Sequence, residues 1–138
     1  MSPEEADLHS AVHQGNLEII KALLKDNCHL VNAKDSEGKT PLYWAANNGD
    51  EDVAALLLAS KADVNGRTDD GWTPLHAAAV NNNKDMAAFL LANRADVNAT
   101  KNDGKTPLRL ASQYEHTKEV AASALLLNVI IRRDAAFL

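Results

Sequence analysis

The sequence predicts an all-α solenoid of helix–turn–helix units joined by extended turns, and three observations support this fold class. First, sequence markers recur with a period of 33 residues, a length typical of stacked repeat units. Second, each period contains a helix-start signal followed by small and aliphatic residues at helical spacing. Third, aromatic residues make up only 4% of the chain, so the core must be built from alanine and leucine. The recurring markers are Gly38, Gly71 and Gly104, Thr-Pro-Leu at 40–42, 73–75 and 106–108, and Val-Asn at 31–32, 64–65 and 97–98.

The second unit shows why each element forms. Thr40 can cap a helix with its hydroxyl, and Pro41 takes the first helical position, where its missing N–H costs nothing. Gly49 can end that helix in the left-handed conformation, and Asp50 can cap a second helix. The apolar faces comprise Leu42, Ala45 and Ala46 in the first helix and Val53, Ala54, Leu57 and Leu58 in the second. One such pair cannot bury these faces alone, so neighbouring units must cover them.

The length of 138 residues fits one domain, 1–138, of four units at about 3–35, 36–68, 69–101 and 102–138. The first unit starts at Ser2-Pro3 with capping-box spacing and lacks a projecting turn, as expected of an N-terminal cap. The last unit departs from the pattern, because Glu115 stands where Gly15 and Gly49 stand in earlier units. Its apolar end comprises Val129, Ile130, Ile131, Phe137 and Leu138. We expect this end to fold back as a helix, with self-association as the alternative.

The composition excludes several classes of protein. Hydrophobic residues make up 46% and charged residues 24%, which excludes a disordered chain. The net charge of −5 argues against nucleic-acid binding. The single cysteine, Cys28, excludes a disulfide framework and a multi-cysteine zinc site. Since no apolar run reaches about 18 residues and the acidic start lacks the features of a secretory signal, we expect no membrane span and an intracellular, most simply cytoplasmic, location.

No residue pattern predicts catalysis or a cofactor. His9 and His13 are four residues apart on a predicted helix, but no third metal ligand accompanies them. Cys28 and His29 are adjacent in a predicted connecting loop, where a catalytic pair is not expected. We therefore expect a non-enzymatic protein without metal or cofactor.

The chain resembles the ankyrin repeat family. The resemblance rests on Gly-Trp-Thr-Pro-Leu-His-Ala-Ala-Ala at 71–79, on Ala-Asp-Val-Asn at 62–65 and on Arg-Ala-Asp-Val-Asn-Ala at 94–99, and weaker copies occupy 38–46 and 104–111. It implies stacked helix pairs with projecting turns, a positive φ at Gly71, and binding to another protein. It also implies that Asn32, Asn65 and Asn98 occupy positions that are hydroxylated in animal members, although satisfying the turn backbone is the simpler role for them.

The resemblance implies that partners dock on turn tips and on the concave side of the first helix of each unit. Residues there vary between units and are free of the stacking role. The candidate partner-binding residues are Ser36, Glu37, Lys39, Trp44, Asn47 and Asn48 in the second unit, Asp69, Asp70, Trp72, Val80 and Asn81 in the third, and Asn102, Asp103, Lys105, Gln113 and Tyr114 in the fourth. The aromatic members are the strongest candidates, since interface hot spots are enriched in such residues.

The sequence therefore predicts a protein–protein interaction module that binds a protein or peptide, with no nucleic-acid or membrane partner. The leading alternative is an assembly element that self-associates through the apolar C-terminal end, although a monomer is expected. An enzyme is the third hypothesis, and it would need a nucleophile, a base and oxyanion donors that the sequence does not show.

Overall fold

The computed structural model describes residues 1–113, which form two rows of short antiparallel helices. The first row comprises α1 (Pro3–Gln14), α3 (Pro41–Asn48), α5 (Pro74–Val80) and α7 (Pro107–Gln113). The second row comprises α2 (Leu17–Asp26), α4 (Glu51–Ala59) and α6 (Lys84–Ala92), and a 3₁₀ helix spans Cys28–Asn32. Within residues 1–113 no strand occurs, and none of these helices is long and apolar enough to cross a membrane.

Each helix of the first row packs on the next one along the row. α1 contacts α3, α3 contacts α5, and α5 contacts α7, while α2 lies against α4. The helices can approach closely because the side chains between them are small, and the buried ones include Ala45, Ala46, Ala77 and Ala78, which are completely buried. The largest fully buried side chains are Leu8, Ile20, Leu42, Leu57, Leu75, Met86, Leu90, Leu91, Leu110 and His76. The core is thus a continuous layer between the two rows, as expected of an all-α solenoid.

The predicted helix starts and stops are confirmed. Thr40 Oγ1 accepts a hydrogen bond from Tyr43 N at 3.1 Å, and Asp50 Oδ1 accepts one from Val53 N at 3.1 Å. Gly49 ends α3 in the left-handed region, with φ +71°. A β-carbon at this glycine would lie 2.8 Å from the Nδ2 atom of Asn83, the capping residue of α6. The glycine therefore sets both the turn and the close fit to the following pair.

The segment around Cys28 differs from the expected connecting loop. Cys28–Asn32 forms a 3₁₀ helix, which begins where Asn27 Oδ1 accepts a hydrogen bond from His29 N at 3.2 Å. The short helix buries Leu30 and Val31 in the core, while Cys28 is exposed. Burial of these two side chains is the physical reason why the segment is ordered.

Candidate functional site

Three tight turns project before helices α3, α5 and α7, and we call them the first tip (35–39), the second tip (68–72) and the third tip (101–105). Each is closed by the same backbone bond, from the N–H of its first residue to the carbonyl of its last. The N···O distances are 3.0 Å for Asp35 and Lys39, 2.9 Å for Thr68 and Trp72, and 2.9 Å for Lys101 and Lys105. The repeated geometry places equivalent residues of the tips side by side.

Hydrogen bonds also join each tip to the next. Asp69 N donates to Glu37 O at 3.1 Å, and Asn102 N donates to Asp70 O at 3.0 Å. Asn102 Nδ2 adds a bond of 2.9 Å to Asp69 O. The three tips therefore form one continuous ledge rather than independent loops.

Below the ledge, asparagine side chains tie consecutive units together. Asn32 Oδ1 accepts a hydrogen bond from Asp63 N at 2.8 Å, and Asn65 Oδ1 accepts one from Asp96 N at 2.7 Å. These bonds confirm, for these two asparagines, the role of satisfying turn backbone groups.

Trp44 lies where the first tip meets helices α1 and α3. Its ring centroid is 4.6 Å from that of His13, and its Nε1 donates a hydrogen bond of 3.0 Å to Asp35 Oδ2. Lys39 Nζ lies 4.8 Å from the ring centroid, a distance at which a cation is attracted to an indole face. Trp44 is partly exposed, and its hydrogen bond to Asp35 holds the first tip in place.

Asp35 organises the first tip around this tryptophan. Its Oδ1 accepts hydrogen bonds from Glu37 N at 2.9 Å and from Lys39 N at 3.0 Å, as in an Asx turn. Burial opposes ionisation of Asp35, but the bonds from Lys39, Trp44 and Glu37 outweigh it and hold the pKa of its carboxyl below the ordinary value of 3.8. Asp35 thus serves as a charged anchor at neutral pH.

Trp72 lies in the second tip, at a cleft lined by residues of the second and third tips. The cleft has a volume of about 210 Å³, and it is lined by Asp70, Trp72, Lys101, Asn102 and Asp103. Lys101 Nζ lies 4.6 Å from the Trp72 ring centroid, and it forms an ion pair of 3.0 Å with Asp103 Oδ2. Trp72 therefore packs against the neighbouring tip while it stays partly exposed.

Buried His76 supports the third tip from below. Its Nδ1 accepts a hydrogen bond from Thr73 N at 3.1 Å, so the proton is on Nε2, which donates to Lys105 O at 2.9 Å. Burial lowers the pKa of the imidazole below its ordinary value of 6.5, and the nearby charges of Lys101 and Arg67 add to this effect. The neutral tautomer that supports the third tip is therefore favoured.

The C-terminal ends of α3, α5 and α7, at the opposite end of these helices from the tips, form a polar floor. Asn81 Nδ2 donates to the backbone carbonyl of Asn47 at 3.1 Å and to its Oδ1 at 3.0 Å. Asn48 and Gln113 are exposed, and Val80 is partly exposed. The floor thus offers amide donors and acceptors with little apolar area.

In two ion pairs of the ledge, the lysine side chain is more buried than its carboxylate partner. The Lys39 side chain is 22% exposed, whereas that of its ion-pair partner Glu37 is 69% exposed. The same inequality holds for Lys101, at 12%, and Asp103, at 48%. The ion pair with Lys101 is also the main cause that lowers the pKa of the Asp103 carboxyl. The ammonium groups therefore face inward onto aromatic rings, and the carboxylates face solvent.

The structure places the predicted partner-binding residues that it describes in the tips and along the first-row helices, and together they make up the candidate surface. Those in the tips are Ser36, Glu37, Lys39, Asp69, Asp70, Trp72, Asn102, Asp103 and Lys105, and those in or directly after the first-row helices are Trp44, Asn47, Asn48, Val80, Asn81 and Gln113. Tyr114 and the apolar end at 129–138 lie outside the described residues. Whether this surface binds a partner stays a prediction.

Sequence reasoning missed three residues of this surface. Asp35 could have been found, because an aspartate three residues before a turn glycine is typical of an Asx turn. His13 and Lys101 could not, because each contacts a tryptophan that is 31 or 29 residues away in the sequence.

His9, one of the two histidines considered as metal ligands in the sequence, makes a hydrogen bond within the fold. His9 Nε2 donates to Ala33 O at 2.7 Å, so this imidazole is engaged in the fold. Within residues 1–113, no group of three or more His, Cys, Asp or Glu side chains is placed to hold a metal ion. What this surface offers is hydrogen bonding, charge and aromatic contact.

Comparison with known proteins shows which chains share this pattern. A family model described as "Ankyrin repeats (3 copies)" matches residues 5–68 and 65–132. The protein phosphatase 1 regulatory subunit 27 of Homo sapiens is 41% identical over 58 residues, which are 42% of this chain and 37% of that protein. Osteoclast-stimulating factor 1 of Danio rerio is 40% identical over 52 residues, 38% of this chain and 24% of that protein. The ankyrin repeat domain-containing protein 49 of Drosophila melanogaster is 42% identical over 53 residues, 38% of this chain and 25% of that protein. The chain thus covers well under half the length of each of these relatives.

Proposed function

This chain belongs to the ankyrin repeat family, a family of protein–protein interaction modules, and on that premise we propose that it binds a partner protein through the ledge and the polar floor. In this proposal the partner is a protein or peptide, and the chain does no chemistry of its own. The three tips and the ends of α3, α5 and α7 contact the partner, and the second-row helices do not.

The observation that carries the proposal is the position of the two tryptophans. Trp44 and Trp72 are both partly exposed, and both lie on the ledge side of the first row. Indole rings offer more contact area than any other side chain there, and such residues dominate binding energy in interfaces. By contrast, the leucine and alanine faces of the helices are already buried in stacking.

The relatives support a role in which the chain acts on another protein by binding it. The human relative is named as a regulatory subunit of protein phosphatase 1. By analogy, this chain serves as a recognition element within an assembly.

The experiment compares two charge-matched double variants. Asn48→Arg with Gln113→Arg places two long side chains on the exposed floor, and Ala55→Arg with Ala88→Arg places two on exposed positions of α4 and α6. Trp44 is a poorer test position, because its removal also releases the first tip. Each variant and the unmodified chain serve as bait in the native extract, and captured proteins are quantified by mass spectrometry.

We expect at least one protein to be retained by the unmodified chain and by the α4/α6 variant, and to be lost from the floor variant. Titration calorimetry with that purified protein should then show at least a thirtyfold weaker affinity for the floor variant, about 2 kcal/mol. Equal affinity of the floor variant, together with loss of binding by the α4/α6 variant, would place the site on the second row and contradict the proposal.

A further inference from the structure

The cleft between the second and third tips has the size of a subsite for one side chain. Its volume of about 210 Å³ lies below the range of roughly 300–1,000 Å³ that is usual for small-molecule pockets. The cleft opens on the ledge, so a partner lying across the tips would pass over it.

The cleft already stabilises a positive charge. Lys101 Nζ lies over the Trp72 ring at 4.6 Å and pairs with Asp103 Oδ2 at 3.0 Å. The ring and the carboxylate together therefore provide the two contacts that a cationic side chain seeks. Because the Lys101 side chain is only 12% exposed, its charge faces the ring rather than an incoming partner.

Asp70 adds an acidic group from the second tip to the lining of the cleft. Its carboxylate is exposed, and it forms no ion pair with any residue in 1–113. Its backbone is fixed, because Asp70 O accepts the hydrogen bond from Asn102 N. The nearby guanidinium of Arg67 is engaged elsewhere, since its Nη2 donates to Thr100 O at 2.9 Å.

Building on the proposed function, we infer that this cleft receives an arginine side chain of the partner. A planar guanidinium can lie against the exposed part of the indole while its donors reach the carboxylate of Asp70. The Asp103 carboxylate is already engaged, because its Oδ2 lies 3.0 Å from Lys101 Nζ and 3.9 Å from Lys105 Nζ, and its Oδ1 accepts a hydrogen bond from Lys105 N. A lysine is less suited, because a compact ammonium keeps its water more strongly and lacks the planar surface that packs on an indole.

The experiment uses short peptides as probes for the missing partner. Acetyl-Gly-Arg-Gly-amide is titrated into the ¹⁵N-labelled full chain, with the citrulline and lysine peptides as matched controls. The chain has two tryptophans, so two indole N–H signals are observed, and Trp44→Phe identifies the one from Trp72. Asp70→Asn is compared with Asp69→Asn, because the Asp69 carboxylate lies against Gly38 of the first tip and not in the cleft.

We expect the arginine peptide to shift the Trp72 indole signal with affinity near the millimolar range, and the citrulline peptide not to do so. Asp70→Asn should weaken this binding about fivefold, as expected for loss of a charge-assisted contact, whereas Asp69→Asn should change it less than twofold. A Trp72 signal that does not move with the arginine peptide would overturn the inference. Equal binding of the lysine peptide, or equal effects of the two aspartate variants, would also overturn it.

These experiments distinguish failure of the arginine subsite from failure of the proposed function. A captured partner that is lost from the Asn48/Gln113 variant, but binds normally to Asp70→Asn, would leave the proposed function standing and remove the arginine subsite. Conversely, specific arginine-peptide binding with no effect of the floor variant on any captured protein would support the subsite and remove the floor from the proposed surface.

Discussion

Replacing Gly71 with alanine tests how closely the second and third tips are packed. Gly71 has a φ of +85°, in the left-handed region that disfavours a β-carbon. A β-carbon built there would lie 2.8 Å from Asn102 N and 2.7 Å from both Asn102 Oδ1 and Arg67 Nη2. Side chains can rotate away, but Asn102 N belongs to the backbone and donates the bond to Asp70 O. The substitution must therefore separate the two tips.

Gly104→Ala is the matched control for the strain of the turn itself. Gly104 has a φ of +86°, and no described atom lies within 4 Å of the position its β-carbon would take. Left-handed strain costs about 1–2 kcal/mol for a non-glycine residue, and reduced freedom of the unfolded chain offsets about 0.5 kcal/mol or more of it. We therefore expect Gly104→Ala to lower the free energy of unfolding by about 1 kcal/mol.

Gly71→Ala carries the same strain plus the loss of contact between the tips. The hydrogen bond between Asn102 N and Asp70 O contributes about 1 kcal/mol, and displacement of the Asn102 amide adds to that loss. The expected decrease in the free energy of unfolding is therefore at least about 2 kcal/mol.

Urea unfolding followed by far-ultraviolet circular dichroism measures both variants against the unmodified chain. Equal denaturant slopes would show that the difference lies in stability and not in the size of the folded unit. If Gly71→Ala is no less stable than Gly104→Ala, the second and third tips are not in close contact and the continuous ledge is wrong.

Three further predictions concern single residues of the fold. Because burial lowers the pKa of His76 below 6.5, the unfolded chain binds a proton more readily, so the free energy of unfolding should fall as the pH drops below about 6.5. In urea unfolding, His76→Gln should flatten this part of the pH profile, and an unchanged profile would contradict the lowered pKa. Asn82 has a φ of +55°, and its buried Oδ1 has no described hydrogen-bond partner. Asn82→Gly should therefore raise the melting temperature and increase the free energy of unfolding by about 1 kcal/mol, and a decrease would show that this amide is bonded. Trp44→Phe removes the hydrogen bond to Asp35 Oδ2. A double-mutant cycle of unfolding free energies with Asp35→Asn should therefore give a coupling energy of about 1 kcal/mol between the two residues, and zero coupling would mean that Trp44 does not hold the first tip.

Local chemistry made the helices and their ends predictable from the sequence. Thr40 and Pro41 specify a helix start by hydroxyl capping and a fixed φ, and the structure shows both. Gly49 specifies a left-handed end, which is also found. Each of these signals acts within four residues, so one unit read alone contains the information.

Contacts between units were predictable only in outline. His13 and Trp44 are 31 positions apart in sequence, and the contact of their rings depends on how far α3 is rotated against α1. The period reveals that units stack, but it does not give this rotation. For the same reason, the sequence marked Trp72 as a candidate without showing that Lys101 covers one face of its ring.

The central claim is that the ledge and floor, and not the second row of helices, contact the partner. The most direct test is the set of backbone amide shifts of the ¹⁵N-labelled chain when the captured partner binds. We expect the largest shifts at residues 35–39, 68–72 and 101–105 and at Asn48, Asn81 and Gln113, with the amides of α2, α4 and α6 nearly unchanged. Shifts concentrated on α4 and α6, with the three tips unaffected, would contradict the account.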